Sequence, residues 1–290
     1  MQKTSFPFEV LVYDDASTDG TADIVREYEK KYPEIIKPYY QEVNQYSQKK
    51  PIAPYQIPRA KGKYLAFCEG DDYWTDPNKL QLQYDFMEAN PQIDMCAHET
   101  TRVRAASEKE IGKVAPSETD RVLSVEEVIA GEGGYLGSSS LFYRKSLWDN
   151  PPRFRQVLRI DYTVQIQGAL RGGIGYIARP MSVYRMAAKG SWTIRTERVS
   201  GAKLAYVESV LRMLPVLDED TQGKYTEVIR QVIEKYQFLK VRCERDWKAV
   251  KSKRFRKYYK ELSAKDRLAV FLLCKYPFVM QVWQRIKYRE

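Results

Sequence analysis

Residues 8–21 read Phe8-Glu9-Val10-Leu11-Val12-Tyr13-Asp14-Asp15-Ala16-Ser17-Thr18-Asp19-Gly20-Thr21. The first six residues have the apolar content of a short buried strand. The polar run behind them has the Asp, Ser and Gly content of a strand-to-helix turn. A helix is expected from about Thr21 to Tyr32, with Ile24, Val25 and Tyr28 on one face and Pro33 as its stop. The order then repeats. Lys63 to Cys68 reads as a strand and ends in Glu69-Gly70-Asp71-Asp72-Tyr73-Trp74, and a helix is expected over 77–90 with Pro77 at an early position.

Outward from these two units the alternation continues. Ile93 to His98, Ser139 to Tyr143, Ile174 to Ile177 and Val183 to Arg185 read as strands, and 160–170 as a helix. Ser124 precedes Glu126 and Glu127 and predicts a capped short helix. Residues 41–58 and 100–122 read as loop. Alternating strands and helices imply an α/β fold with a mostly parallel sheet flanked by helices. From Val199 onward Gly and Pro become sparse and the pattern turns helical, so a domain over 1–198 and a helical C-terminal extension over 199–290 are expected.

Composition narrows the function. The chain has 290 residues, 43% hydrophobic and 30% charged, which suits a globular protein. Its four cysteines form no CxxC pair, so a zinc ribbon is excluded and reduced thiols are expected. A single histidine, His98, excludes multi-histidine metal sites and reads as a packed structural residue. The mean hydropathy is −0.56, and no stretch of about 18 uncharged apolar residues is present for a spanning helix. Residues 1–198 hold 27 Lys and Arg against 27 Asp and Glu, so the whole net charge of +10 lies in 199–290. A neutral body with a basic tail predicts an acidic partner for the tail.

Two acidic pairs, Asp14-Asp15 and Asp71-Asp72, each follow an apolar strand. In open α/β sheets ligands bind beyond the carboxyl ends of the strands. Neighbouring carboxylates repel, so such a cluster calls for a cation or a hydrogen-bond network. Hard divalent cations take oxygen ligands and hold phosphates with one or two protein carboxylates. A metal-bound diphosphate is the expected chemistry, and turn and N-cap roles are the alternative.

In order along the chain, Asp14-Asp15-Ala16-Ser17-Thr18-Asp19-Gly20-Thr21, Glu69-Gly70-Asp71-Asp72-Tyr73-Trp74, Gly134-Tyr135-Leu136-Gly137-Ser138-Ser139-Ser140, and Asp161-Tyr162 with 173–177 and 181–185 resemble family 2 glycosyltransferases of the GT-A fold. The resemblance implies an inverting transfer of a sugar from a nucleotide-diphospho-sugar donor to a glycan or lipid-linked acceptor hydroxyl. It implies donor binding by Asp14, Asp15, Asp71 and Arg185. Mg²⁺ or Mn²⁺ would be held by Asp72 with Asp71 and Glu69, and Asp161 would be the general base. Arg185 and Ser191-Trp192 lie where the family closes a loop over the diphosphate. The family begins with a strand and helix before the first Asp pair, whereas 13 residues precede Asp14 here, which implies either a truncated fragment or gene model or a protein that lacks this first unit. A truncated or degenerate nucleotide-binding domain, a membrane-surface scaffold and a nucleotidyltransferase on a similar sheet are the alternatives.

The tail interleaves Trp247, Phe255, Tyr258 and Tyr259 with cations, and 267–288 joins an apolar run to basic ends, broken by Lys275 and Pro277. That pattern suits an interfacial helix on anionic lipid, with a helical hairpin packed on the body as the alternative. No nucleic-acid motif accompanies the charge. The expected location is cytoplasmic, peripheral at the inner face of the cell membrane.

Overall fold

The computed structural model describes residues 1–48, 50–188, 191 and 201–275. Trp192 and the stretch 276–288 of the tail lie outside the described residues, as does the expected boundary at 198/199. The chain divides into two compact units. The first comprises 1–128, 132–151 and 164–186, and the second 129–131, 152–163 and 187–290.

The first unit is mixed α/β. Strand β1 (Val10–Asp14) leads through helix α1 (Thr21–Lys31) to β2 (Ile36–Tyr40), and the two strands pair in parallel from Val10↔Ile36 to Asp14↔Tyr40. Ala16 turns the chain out of β1 in a left-handed conformation (φ 57°), and the Asp19 carboxylate accepts from the Thr21 N–H at 3.0 Å where α1 begins. The stretch read as a long loop contains a short helix, α2 (Ala53–Gln56), with Pro54 near its start.

A second sheet follows. It contains β3 (Tyr64–Ala66), β4 (Tyr73–Trp74), β5 (Met95–Arg104), β6 (Lys109–Val114), β7 (Arg121–Leu123), β8 (Phe142–Arg144) and β9 (Ile174–Met186). Its order is β3-β8-β5-β9-β4, with β6 on β5 and β7 on β9. The α/β architecture with a helical C-terminal region matches the expectation, but the larger sheet is mixed rather than mostly parallel. Among the described residues only β1–β2 and β5–β9 pair in parallel, and the remaining ladders are antiparallel. The cause is local. Residues 100–114 form a hairpin arm instead of a loop, and β9 is one bulged strand long enough to take β4 and β7 antiparallel.

Helix α3 (Lys79–Ala89) covers the sheet through Leu80 and Met87, which join Ile93, Cys96, Phe142, Ile177 and Met181 in the core. Helix α4 (Val125–Gly131) opens on a capping box. The Ser124 hydroxyl accepts from the Glu127 N–H at 3.1 Å, and the Glu127 carboxylate accepts from the Ser124 N–H at 2.8 Å.

The second unit is helical. Helix α5 (Arg153–Val157) precedes α6 (Asp161–Ala169), whose first residues belong to this unit. Helices α7 (Ala202–Asp220) and α8 (Thr226–Cys243) bury Val207, Val210, Leu214 and Leu217 from one and Ile229, Val232 and Tyr236 from the other. Then come α9 (Trp247–Val250), α10 (Arg256–Glu261) and α11 (Ala264–Lys275). Phe238, Val250, Phe255, Tyr258 and Val270 form their shared core. No described helix is long and apolar enough to cross a membrane.

Candidate active site

Both acidic pairs sit at strand ends in the first unit. Asp14 closes β1 and is only 5% exposed. Its Oδ2 accepts from the Ser17 N–H at 3.4 Å, while its buried Oδ1 has no hydrogen-bond partner among the described residues. Asp15 has a different task. Its Oδ1 accepts from the Gln45 N–H at 2.7 Å and its Oδ2 from the Tyr46 N–H at 2.9 Å, so both oxygens hold the loop after β2. Asn44 adds a bond to the Asp15 carbonyl at 2.8 Å. The stacked Tyr13 and Tyr39 rings, 6.0 Å apart, flank these acids on the paired strands.

The second cluster is organised around Asp72. It lies on a turn closed by the Asp72 N–H donating to the Glu69 carbonyl at 3.0 Å. Its Oδ1 accepts from the Arg185 N–H at 3.0 Å, and its buried Oδ2 has no partner among the described residues. Burial, only partly offset by the Arg185 N–H and the nearby Ser139 hydroxyl and with Asp71 adding repulsion, pushes the Asp72 carboxyl up to about 6. The neighbouring Cys68 thiol is pushed up to about 11 by burial and by the Asp72 charge.

The other expected site residues are placed as follows. Glu69 accepts from the Ser138 hydroxyl at 3.1 Å, tying the acidic turn to the serine run. Asp71 lies half-buried beside Asp72. The Arg185 guanidinium lies 2.9 Å from Glu108 on the β5–β6 hairpin turn. Glu108 also accepts from the Tyr73 hydroxyl at 3.2 Å. Asp161 begins α6 in the second unit. It keeps solvent access, yet the protein packed around its carboxyl pushes its pKa up.

Among the described residues no three His, Cys, Asp or Glu side chains are gathered as metal ligands. Glu69, Asp71 and Asp72 therefore do not form a three-carboxylate cage. A buried Asp72 oxygen without a partner still fits a hard cation that takes its remaining oxygens from water and phosphate.

Behind Asp72 runs a polar scaffold that the sequence concealed. Trp74 Nε1 donates to the Ser139 carbonyl at 3.1 Å, and the Ser139 hydroxyl donates to Ser182 at 3.1 Å. Lys79, fully buried on α3, lies 4.0 Å from the Trp74 ring centroid and donates to Gln83 at 2.8 Å. Gln83 in turn donates to the Ser140 carbonyl at 2.8 Å. Burial pulls the Lys79 amine down to about 7. Nothing in Pro77-Asn78-Lys79-Leu80 marks this lysine as buried, because it reads as an ordinary first-turn cation. His98 is buried with Nδ1 against the Glu99 carbonyl at 2.7 Å, and burial and the Lys79 charge hold its pKa well below the ordinary value. That agrees with a packed structural histidine.

A parallel pair with acids at the end of β1, and a mixed sheet with acids just beyond β3, define a GT-A-type α/β domain. The glycosyl transferase family 2 model matches residues 1–188, and the chain belongs to that family. Relatives extend the comparison. The uncharacterized protein Rv1520 of Mycobacterium tuberculosis is 34% identical over 194 residues, covering 66% of this chain and 54% of that protein. The chain thus spans about half the length of that relative. The UDP-Glc:alpha-D-GlcNAc-diphosphoundecaprenol beta-1,3-glucosyltransferase WfaP of Escherichia coli is 34% identical over 89 residues, 30% of this chain and 33% of that one. The poly(ribitol-phosphate) beta-glucosyltransferase of Bacillus spizizenii is 35% identical over 85 residues, 29% and 13% of the two chains.

Proposed function

We propose that the chain is an inverting glycosyltransferase that moves a sugar from a nucleotide-diphospho-sugar to a hydroxyl of a glycan or lipid-linked acceptor at the inner membrane face. The observation that carries this reading is Asp72, a buried carboxylate whose Oδ1 accepts from the Arg185 N–H and whose Oδ2 has no hydrogen-bond partner among the described residues, beyond a sheet strand. Two relatives named as glucosyltransferases support the reaction class, one with a diphosphoundecaprenol-linked acceptor in its name and one with a polymer.

Each residue has a part in this reading. Asp14 serves the nucleoside through its buried Oδ1, which has no hydrogen-bond partner among the described residues, and Asp15 supports it by holding the 44–46 loop. Asp72, with Asp71 beside it, would hold Mg²⁺ or Mn²⁺, and Glu69 steadies the turn through Ser138. The cation, when bound, stabilises negative charge on the departing diphosphate. Arg185 exchanges Glu108 for phosphate oxygens. Asp161 takes the acceptor hydroxyl's proton as that oxygen bonds to the anomeric carbon and the bond to the diphosphate breaks. A carboxyl pushed upward is the better base near neutral pH.

Asp161→Asn tests the division of labour. It is expected to bind nucleotide and metal like the wild type while transfer falls by at least about 10²-fold. Transfer at the wild-type rate would remove Asp161 from the mechanism.

A further inference from the structure

Among the described residues, the packing of the second unit leaves one face exposed. Helix α11 is held to the core through Val270, 3% exposed. At about 100° per residue, Leu268 and Leu272 project from the opposite side and Phe271 from the flank beside them, and they are 58%, 42% and 45% exposed. Three large apolar side chains at i, i+3 and i+4 form one continuous stripe. Lys265 and Lys275 lie along the same stripe at its two ends. Lys251, from the segment after α9, reaches to 5.3 Å from the Phe271 ring centroid.

The surrounding charge is one-sided. Residues 247–275 contain ten Lys and Arg against two acids, Glu261 and Asp266, and all ten cations are exposed. Asp266 is engaged locally, accepting from the Ser263 hydroxyl at 2.8 Å. An apolar stripe ringed by cations complements a surface with anionic headgroups above a hydrocarbon layer.

We infer that this face of α11 docks the protein on an anionic lipid bilayer, with Leu268, Phe271 and Leu272 entering the headgroup–acyl boundary and the surrounding lysines meeting lipid phosphates. This deepens the proposed membrane-face location by assigning it to one helix face. It is tested without donor or acceptor, so failure of the sugar-transfer reading leaves the result unaffected.

The experiment is co-sedimentation of the full chain with vesicles of phosphatidylglycerol mixed with phosphatidylcholine, and with phosphatidylcholine alone. The wild type is expected to partition onto the anionic vesicles and not onto the neutral ones. Leu268→Gln/Phe271→Gln/Leu272→Gln is expected to lower that partition at least about tenfold, with unchanged helical circular dichroism and melting. Lys251→Glu/Lys265→Glu/Lys275→Glu is a second variant that leaves the apolar stripe intact, and a similar loss is expected. Wild-type partition by the folded glutamine variant, equal binding to neutral vesicles, or no vesicle binding at all would overturn the inference. So would a glutamine variant whose only change, by analytical ultracentrifugation, is loss of a wild-type dimer.

Discussion

Asp72→Asn is expected to stabilise the metal-free protein at neutral pH and to abolish its response to divalent cations. In the folded state burial raises the Asp72 carboxyl from 3.8 to about 6. Between those values the native state holds more protons than the unfolded chain, so this group's contribution falls as pH rises through the window. Above about pH 6 the full cost is present. At about 1.4 kcal/mol per pH unit it amounts to about 3 kcal/mol. Asparagine carries no charge and keeps an oxygen to accept from the Arg185 N–H, so the variant should gain about 1–3 kcal/mol at about pH 7.5. Urea titrations followed by tryptophan fluorescence, in chelator, should show this advantage and should show it vanishing toward about pH 4. Mn²⁺ should then raise the wild-type midpoint and leave the variant's unchanged. An Asn variant no more stable than the wild type at about pH 7.5 in chelator, or an advantage that persists at about pH 4, would refute the assignment of a destabilised carboxylate.

Three further expectations concern stability. Ser124→Ala removes one half of the capping box and should cost about 1 kcal/mol by chemical denaturation. Gly173 has φ +88°, and a Cβ there would sit 2.3 Å from the Leu123 carbonyl oxygen. Gly173→Ala should therefore cost about 2 kcal/mol or more in a urea titration, whereas at Gly20, where nothing lies within 4 Å, the same change should cost little. Lys79 is held down to about 7 by burial, so its contribution should rise with pH between about 7 and 10.5. Lys79→Met, measured by thermal melts, should accordingly be best tolerated at about pH 6 and lose ground as the pH rises.

The features carried by local chemistry were readable. Asp14 and Asp72 follow apolar strands, Ser124 caps its helix, and α1, α3 and α6 begin within about two residues of their expected starts. The antiparallel content was not readable. The exposed positions of β5 and β6 are Arg104, Lys109, Glu110, Ile111 and Lys113, mostly charged, so residues 100–114 look like a polar loop until they pair. Arg179-Pro180 splits β9 into two apparent strands, and only the parallel partner β5 restores it with a shift of register. At the site, the sequence named side chains while the structure uses backbone as well. Arg185 holds Asp72 through its N–H, not its guanidinium. Asp15 spends its carboxylate on the Gln45 and Tyr46 amides. Burial of Lys79 depends on the Trp74 ring and Gln83, which meet it only in the fold.

Metal capture at Asp72 is read by electron paramagnetic resonance of Mn²⁺ titrated with the protein and a panel of nucleoside diphosphates. Wild-type protein is expected to deplete the free-ion signal with one nucleotide far more than with the others, and Asp72→Asn to deplete it with none. A folded wild type that captures no Mn²⁺ with any nucleotide, or an Asp72→Asn variant that captures it equally well, would contradict the account.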